Sequence, residues 1–349
     1  MNAHTRWAAS AALLICASGL QQWRGAVAFS DNDPIRLPAR LSETGLYAPG
    51  EARVVAQGNR AFSPQYPLWT DGAAKRRWVH VPAGAAIDAR NPRQWEFPVG
   101  TRFWKEFSFG GQPVETRFLW KASPDAWLAG SYKWDADGND ATLVEDDGLA
   151  GAIEIVPGRR HDIPSRSDCA ACHGDARRPL GFNPLQLSDD RDPNAIHGEP
   201  LTADMVTLKT LLDEGLLTGA DAALRTRPPR IATSDAQTRA VLGYLSGNCG
   251  ACHNGDGQIT AQLPSLHYAD VIDGDATAQR MIGQPSRWQP PRQSGTTLLI
   301  DPLSPSASAV LVRMGSRRPS SQMPPLGTVL QDQQAIGAIE RWITKAAHR

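Results

Sequence analysis

The chain has 349 residues, enough for two domains of ordinary size, and its 36 basic and 36 acidic side chains leave no net charge. A neutral chain has no electrostatic case for wrapping nucleic acid. With 41% apolar residues it can bury a core and does not read as disordered, and its 31 glycines and 27 prolines point to many turns and long irregular connections.

The N-terminus has its own composition. Met1 to Ala28 carries Arg6 and Arg24 and no acidic residue. The apolar run from Trp7 to Leu20 is too short for an ordinary span, and Ala26-Val27-Ala28 makes a small-x-small cleavage pattern. Residues 1–28 therefore read as a secretory signal peptide cut before Phe29; the other reading is an uncleaved anchor. Cys16 raises lipidation, but Ile15 stands where a small residue is expected. Cleavage removes two arginines and leaves a net charge of −2. No other apolar run approaches membrane length, so the mature protein is expected to be soluble, with no membrane span.

After a short lead, residues 29–160 read as a β-rich domain. Strand-like pieces are Trp78–Val81, Thr101–Phe109, Val114–Trp120 and Ile153–Val156, separated by turns such as Phe109-Gly110-Gly111-Gln112. Two packed antiparallel sheets are the expected arrangement. Seven of the 11 tryptophans lie here: Trp69, Trp78, Trp95, Trp104, Trp120, Trp127 and Trp134. They are expected to fill the core, or else to line a ligand site or a partner's docking face.

Residues 161–233 carry few strands. One amphipathic helix spans about Asp204 to Leu217, with Thr202 as its N-cap and Val206, Leu208, Leu211, Leu212 and Leu216 on one side. Residues 234–349 read as a helical domain. Ser234 and Gln237 make a capping box for a helix that runs into Cys249, with Val241, Leu242 and Leu245 on its apolar side. Ser304-Pro305 starts a short helix. A last helix covers about Asp332 to Ala347, with Ile336, Ile339, Trp342 and Ile343 at helical spacing.

The cysteines set the class. Beyond Cys16 there are four, in Cys169-Ala170-Ala171-Cys172-His173 and Cys249-Gly250-Ala251-Cys252-His253. Each is C-x-x-C-H, the attachment pattern of c-type haem. Two thiols add across the two vinyl groups of one haem, and the next residue places an imidazole under the iron. A disulfide framework gives no reason for a histidine after both pairs, and a Cys₄ zinc site usually has its pairs about 15–20 residues apart. A thioredoxin-like site needs one redox pair, not two Cys-Cys-His copies. Two covalent haem c groups are therefore expected, held by Cys169, Cys172 and His173 and by Cys249, Cys252 and His253. Export agrees, because c-type haem is attached outside the cytoplasm.

The second half resembles a class I cytochrome c domain. A helix enters C-x-x-C-H, Met323-Pro324-Pro325 forms a turn, and a closing helix carries Trp342-Ile343. That resemblance makes Met323 the sixth ligand opposite His253, ahead of Met314 and Met281. A thioether is a soft neutral ligand that raises the potential, and two prolines stiffen the loop presenting it. For the first haem, His197, Met205 and His161 are candidate sixth ligands, with His197 preferred because its loop is long enough to fold back. His80 is expected to pack or to face solvent.

The whole chain resembles a family of exported dihaem c-type cytochromes with an N-terminal β-rich domain. The matching stretches are Leu41–Tyr47, Tyr66–Ala73, Phe97–Thr101, Val114–Arg117, Ile163–Arg166 and Leu242–Leu245. The resemblance covers roughly residues 40–345 and implies the bacterial periplasm. The expected fold class is α+β and multidomain: an antiparallel β-sandwich-like domain, then α-helical cytochrome c-like haem domains.

The expected function is electron transfer between redox partner proteins, from a His/His haem 1 to a higher-potential His/Met haem 2. The alternative is a dihaem enzyme such as a peroxidase, with one open iron and Arg166, Asp168 and His161 as helpers. A third reading makes the β-rich part a module that docks a partner or ligand.

Overall fold

In the computed structural model, residues 35–173, 179–255, 263–291 and 295–347 are described. The signal-peptide reading of residues 1–28 lies outside them. Alternating side chains build the main element, an antiparallel sheet of six strands: β1 (Arg60–Ala61), β2 (Ala74–His80), β4 (Arg102–Phe109), β5 (Gln112–Lys121), β6 (Trp127–Trp134) and β7 (Ala141–Leu143), paired in that order. β3 (Ile87–Asp88) pairs instead with β10 (Leu217–Thr218), and β8 (Leu149–Val156) with β9 (Arg159–Ile163). Phe109 and Gln112 close the β4–β5 hairpin around Gly110-Gly111, where the sequence places a turn.

Both faces of the sheet are covered. Trp78, Trp104, Phe118, Tyr132 and Trp134 bury one face against Leu41, Leu46 and Tyr47. Val79, Phe103, Leu119 and Ala129 bury part of the other against Phe182, Leu187, Val206 and the short helix α2 (Leu208–Asp213). Tryptophans thus serve as core: Trp95 belongs to the second cluster, Trp127 packs against it, Trp120 packs against the first cluster and Trp69 against a third. Helix α2 is shorter than the expected Asp204–Leu217, with Thr207 rather than Thr202 as its N-cap. Val206 has left the helical run to bridge Phe62 of the sheet edge.

The remaining helices are α1 (Arg166–His173), α3 (Ala236–Cys249), α4 (Gly274–Gln279), α5 (Ala309–Met314) and α6 (Gln333–Ala346). The N-caps of α3 and α6 are Asp235 and Asp332, whose carboxylates accept the amides of Thr238 and Ala335. Among the described residues no helix is long and apolar enough to cross a membrane.

The expected fold class is overturned. There is no sandwich followed by α-helical cytochrome c-like domains, because one six-stranded sheet dominates and only α3 and α6 reach 14 residues. Two physical causes account for this. The second layer over the sheet is supplied by the Phe182–Leu217 segment, not by strands. The helical half also shares its core with the β-rich half: Tyr66 is buried among Val241, Leu242, Tyr244, Leu245 and Trp342. A Cβ at Gly243 would overlap the Tyr66 ring, and one at Gly247 its carbonyl, so these glycines form the shallow track on α3 that seats Tyr66.

Candidate functional site: a cavity shared by both Cys-Cys-His motifs

The two motifs are held by local chemistry that the sequence supplies. Ser165 and Asp168 form a reciprocal cap at the start of α1: each backbone amide donates to the other's side chain, at 3.0 Å. Cys169, Cys172 and His173 then follow on that single helix. Helix α3 ends at Cys249, and the chain turns tightly, with the amides of Cys252 and His253 donating to the Cys249 carbonyl at 3.1 and 2.9 Å. Asn248, one residue before the motif, accepts the Trp69 amide at 2.8 Å and so pins this turn to the β-rich half.

Both motifs open on one cavity of about 840 Å³, which lies in the range of small-molecule and cofactor sites. Cys169, Cys172, His173, Cys249, Cys252 and His253 all line it. The four cysteines are unpaired and half-buried. The motifs meet at their second cysteines. The Cys172 and Cys252 thiols act on one another's titration, which draws Cys252 toward its thiolate and holds Cys172 protonated. Cys252 Sγ also lies 3.8 Å from the carbonyl of Ala171. Burial pushes the Cys249 thiol up to about 12 and raises that of Cys169.

These residues fit covalent haem. The thiols sit in pairs at the attachment spacing, beside the cavity. His253 is 6% exposed and its Nδ1 has no hydrogen-bond partner, so this buried imidazole is not claimed by the surrounding protein at that atom. Among the described residues no three Cys, His, Asp or Glu side chains cluster as a metal cage; a porphyrin brings its own four nitrogens and asks the protein only for axial ligands.

The candidate sixth ligands separate by place. Met323, Met314 and Met281 all line the cavity. His197 is not among the lining residues; its Nε2 hydrogen-bonds Asp332 at 2.8 Å, and Tyr244 donates to the same carboxylate at 2.9 Å. Met205 is half-buried beside the sheet edge, away from the lining. His161 does line the cavity, but its Nε2 is 3.0 Å from Glu115 and its Nδ1 3.5 Å from Asp71. Burial pulls its pKa down, and the bonds to Asp71 and Glu115 outweigh that and raise it to about 8. Arg166, a candidate helper for an open iron, pairs with Asp146 at 2.8 Å. His80 is half-buried, and burial lowers its pKa.

A charged floor was not singled out by the motifs. Arg77, Lys105 and Arg117 stand directly opposite one another on β2, β4 and β5, and all three line the cavity. Arg77 makes a fork to Glu199 at 2.6 and 3.1 Å, and Arg117 a fork to Glu115 at 2.7 and 3.1 Å. Asp71 completes the wall. Asp71-Gly72 forms a tight left-handed turn, with φ of 49° and 75°, that aims the carboxylate at the loop after Met323. The signal was present in the sequence: Arg77, Lys105 and Arg117 each interrupt an aromatic-rich strand at the inward period-2 position.

Comparison of the chain with protein-family models, with curated proteins and with solved structures finds no match.

Proposed function

We infer that the protein is a dihaem c-type cytochrome that transfers electrons between redox partner proteins in the periplasm. The observation that carries the reading is the convergence of both C-x-x-C-H motifs on one cavity, where Cys252 of one approaches the Ala171 carbonyl of the other. A haem bound at each motif supplies a reversible one-electron couple at its iron.

The protein's own residues do the rest. Cys169 and Cys172, and Cys249 and Cys252, fix each macrocycle covalently, while His173 and His253 present the proximal imidazoles. Met323, with Met314 and Met281 nearby on the lining, offers a soft thioether to the distal side of the second haem. Because the two motifs line one cavity and touch, haems held by them would be close enough to exchange an electron within the protein. The aromatic and aliphatic walls exclude water and limit the solvent that must reorient on each transfer. The test is a potentiometric titration of the exported protein. Two separated one-electron steps are expected; a single shared potential overturns directional flow from haem 1 to haem 2.

One observation favours a second reading. His197 and His161 are both bonded to carboxylates and Met205 lies off the cavity, so the first haem lacks an uncommitted ligand among the three candidates. An open iron is what a peroxidase-like enzyme needs. Carbon monoxide added to the reduced protein separates the readings: no spectral change supports the carrier, and a change at one haem supports the enzyme.

A further inference from the structure

Three cations in a row are an unusual thing to build into a sheet, because like charges directly opposite one another across strands are destabilising. Here the outer two are neutralised by carboxylates, Arg77 by Glu199 and Arg117 by Glu115. The middle one is not. Among the described residues Lys105 has no carboxylate partner; its Nζ lies 4.9 Å from the centre of the Phe107 ring. Lys75 and Arg117 crowd the same ring, at 5.8 and 4.3 Å. Burial and its cationic neighbours hold the Lys105 pKa well below the usual lysine range. An amine with no protein anion, facing a cofactor-sized cavity, is placed to receive an acidic group from whatever fills that cavity, and that anion would restore its positive charge.

The direction of the row says which group. Helix α1, which carries Cys169 and Cys172, packs against β6, the strand beside β5, so Arg117 is the end of the row nearest these cysteines. Neighbouring strands lie about 4.8 Å apart, so Lys105 stands one strand step beyond Arg117 and Arg77 two, about 10 Å away. The two thioether bonds and the two propionates of haem c leave opposite edges of the macrocycle. A macrocycle tethered at the Arg117 end therefore carries its carboxylates toward Lys105.

We propose that the first haem lies across this row and that Lys105 binds one of its propionates. The proposal rests on the dihaem reading and adds the haem's orientation and its anchoring residue. The apolar end of the same sheet face, Val79, Phe103, Leu119 and Ala129, packs against the Phe182–Leu217 segment, and the basic row supplies the cationic part of the face that meets the cavity.

The experiment compares the exported holoprotein with its Lys105→Met and Lys105→Arg variants. Covalent haem is first counted in each. Resonance Raman spectra and a redox titration follow. The expected result is two haems in all three proteins and, in Lys105→Met alone, a shifted propionate bending mode and a lower potential at one haem. The potential falls because removing the cation leaves the propionate charge to stabilise the ferric state. Lys105→Arg restores both signals. Two haems with an unmoved propionate mode in Lys105→Met, or equal changes at both haems, overturn the proposal and leave the dihaem reading standing. A wild-type chain without covalent haem overturns the dihaem reading and this proposal with it.

Discussion

Asp71 and Leu330, 259 positions apart, are joined by a 2.8 Å hydrogen bond from the Leu330 amide to the Asp71 carboxylate, and Val329 donates to the same oxygen at 2.8 Å. This one side chain ties the β-rich half to the segment that follows Met323-Pro324-Pro325, and its second oxygen faces His161. Asp71→Ala leaves two amides without their acceptor, at about 1–3 kcal/mol for each that stays buried. Chemical denaturation should report that loss. The oxidised spectrum should lose its methionine-to-iron charge-transfer band if Met323 ligates. Asp71→Asn keeps an acceptor oxygen and should retain most of both signals.

The same network gives a pH dependence. The pKa of His161 is raised in the folded protein to about 8 from 6.5, so the folded state holds its proton more tightly than the unfolded state does. That contribution is fully present below about 6.5 and is lost as the pH rises through about 8, a change on the order of 2 kcal/mol. Unfolding free energies measured between pH 6 and 9 should fall over this window. In His161→Gln the fall should flatten; an unchanged slope would mean that other groups set it.

Packing across the two halves is tested at Gly243. A methyl group there meets the Tyr66 ring, which is held by Tyr244 and Leu245 of the same core and by reciprocal bonds between its backbone and Gln186 at 2.9 and 3.0 Å. Gly243→Ala should therefore destabilise the protein by about 1–3 kcal/mol through overpacking, despite the better helix propensity of alanine. Thermal unfolding would show it. A variant as stable as wild type would mean that α3 and Tyr66 are not in contact.

Contact between the motifs makes a prediction for the protein produced without haem. Cys252 Sγ lies 3.8 Å from the carbonyl of Ala171, the residue before Cys172, so mild oxidation should link Cys172 to Cys252, across 80 positions, before closing either C-x-x-C pair. Peptide mapping under non-reducing conditions distinguishes the linkages. Exclusive Cys169–Cys172 and Cys249–Cys252 disulfides would contradict the convergence.

Much of this was legible residue by residue. Period-2 alternation located β2, β4, β5 and β8, and helical spacing with polar caps located α3 and α6 to within a few positions. The cysteine spacing located the residues that line the cavity. What misled was treating each stretch as a domain that must complete its own core. The Leu-rich face of α2 reads as one long helix, but only Leu208, Leu211 and Leu212 stay on it, Leu216 lies beyond its end, and Val206 leaves it to meet Phe62. The resemblance of the last third to a class I cytochrome c rested on α3, the Met-Pro-Pro turn and α6. It said nothing of Tyr66, which arrives from about 180 residues upstream to complete that core. Asp71 and Glu115 were invisible as site residues, and Arg77, Lys105 and Arg117 were legible as inward positions but not as one row, because these roles depend on cross-strand register, which local pattern does not fix.

The central claim is that each C-x-x-C-H motif holds a haem covalently. The most direct measurement is the haem content of the exported, acid-acetone-washed protein, read from its alkaline pyridine spectrum against protein concentration. Two thioether-linked haems per chain are predicted, falling to one in Cys249→Ala/Cys252→Ala. A wild-type protein that keeps no haem through the wash would contradict the account.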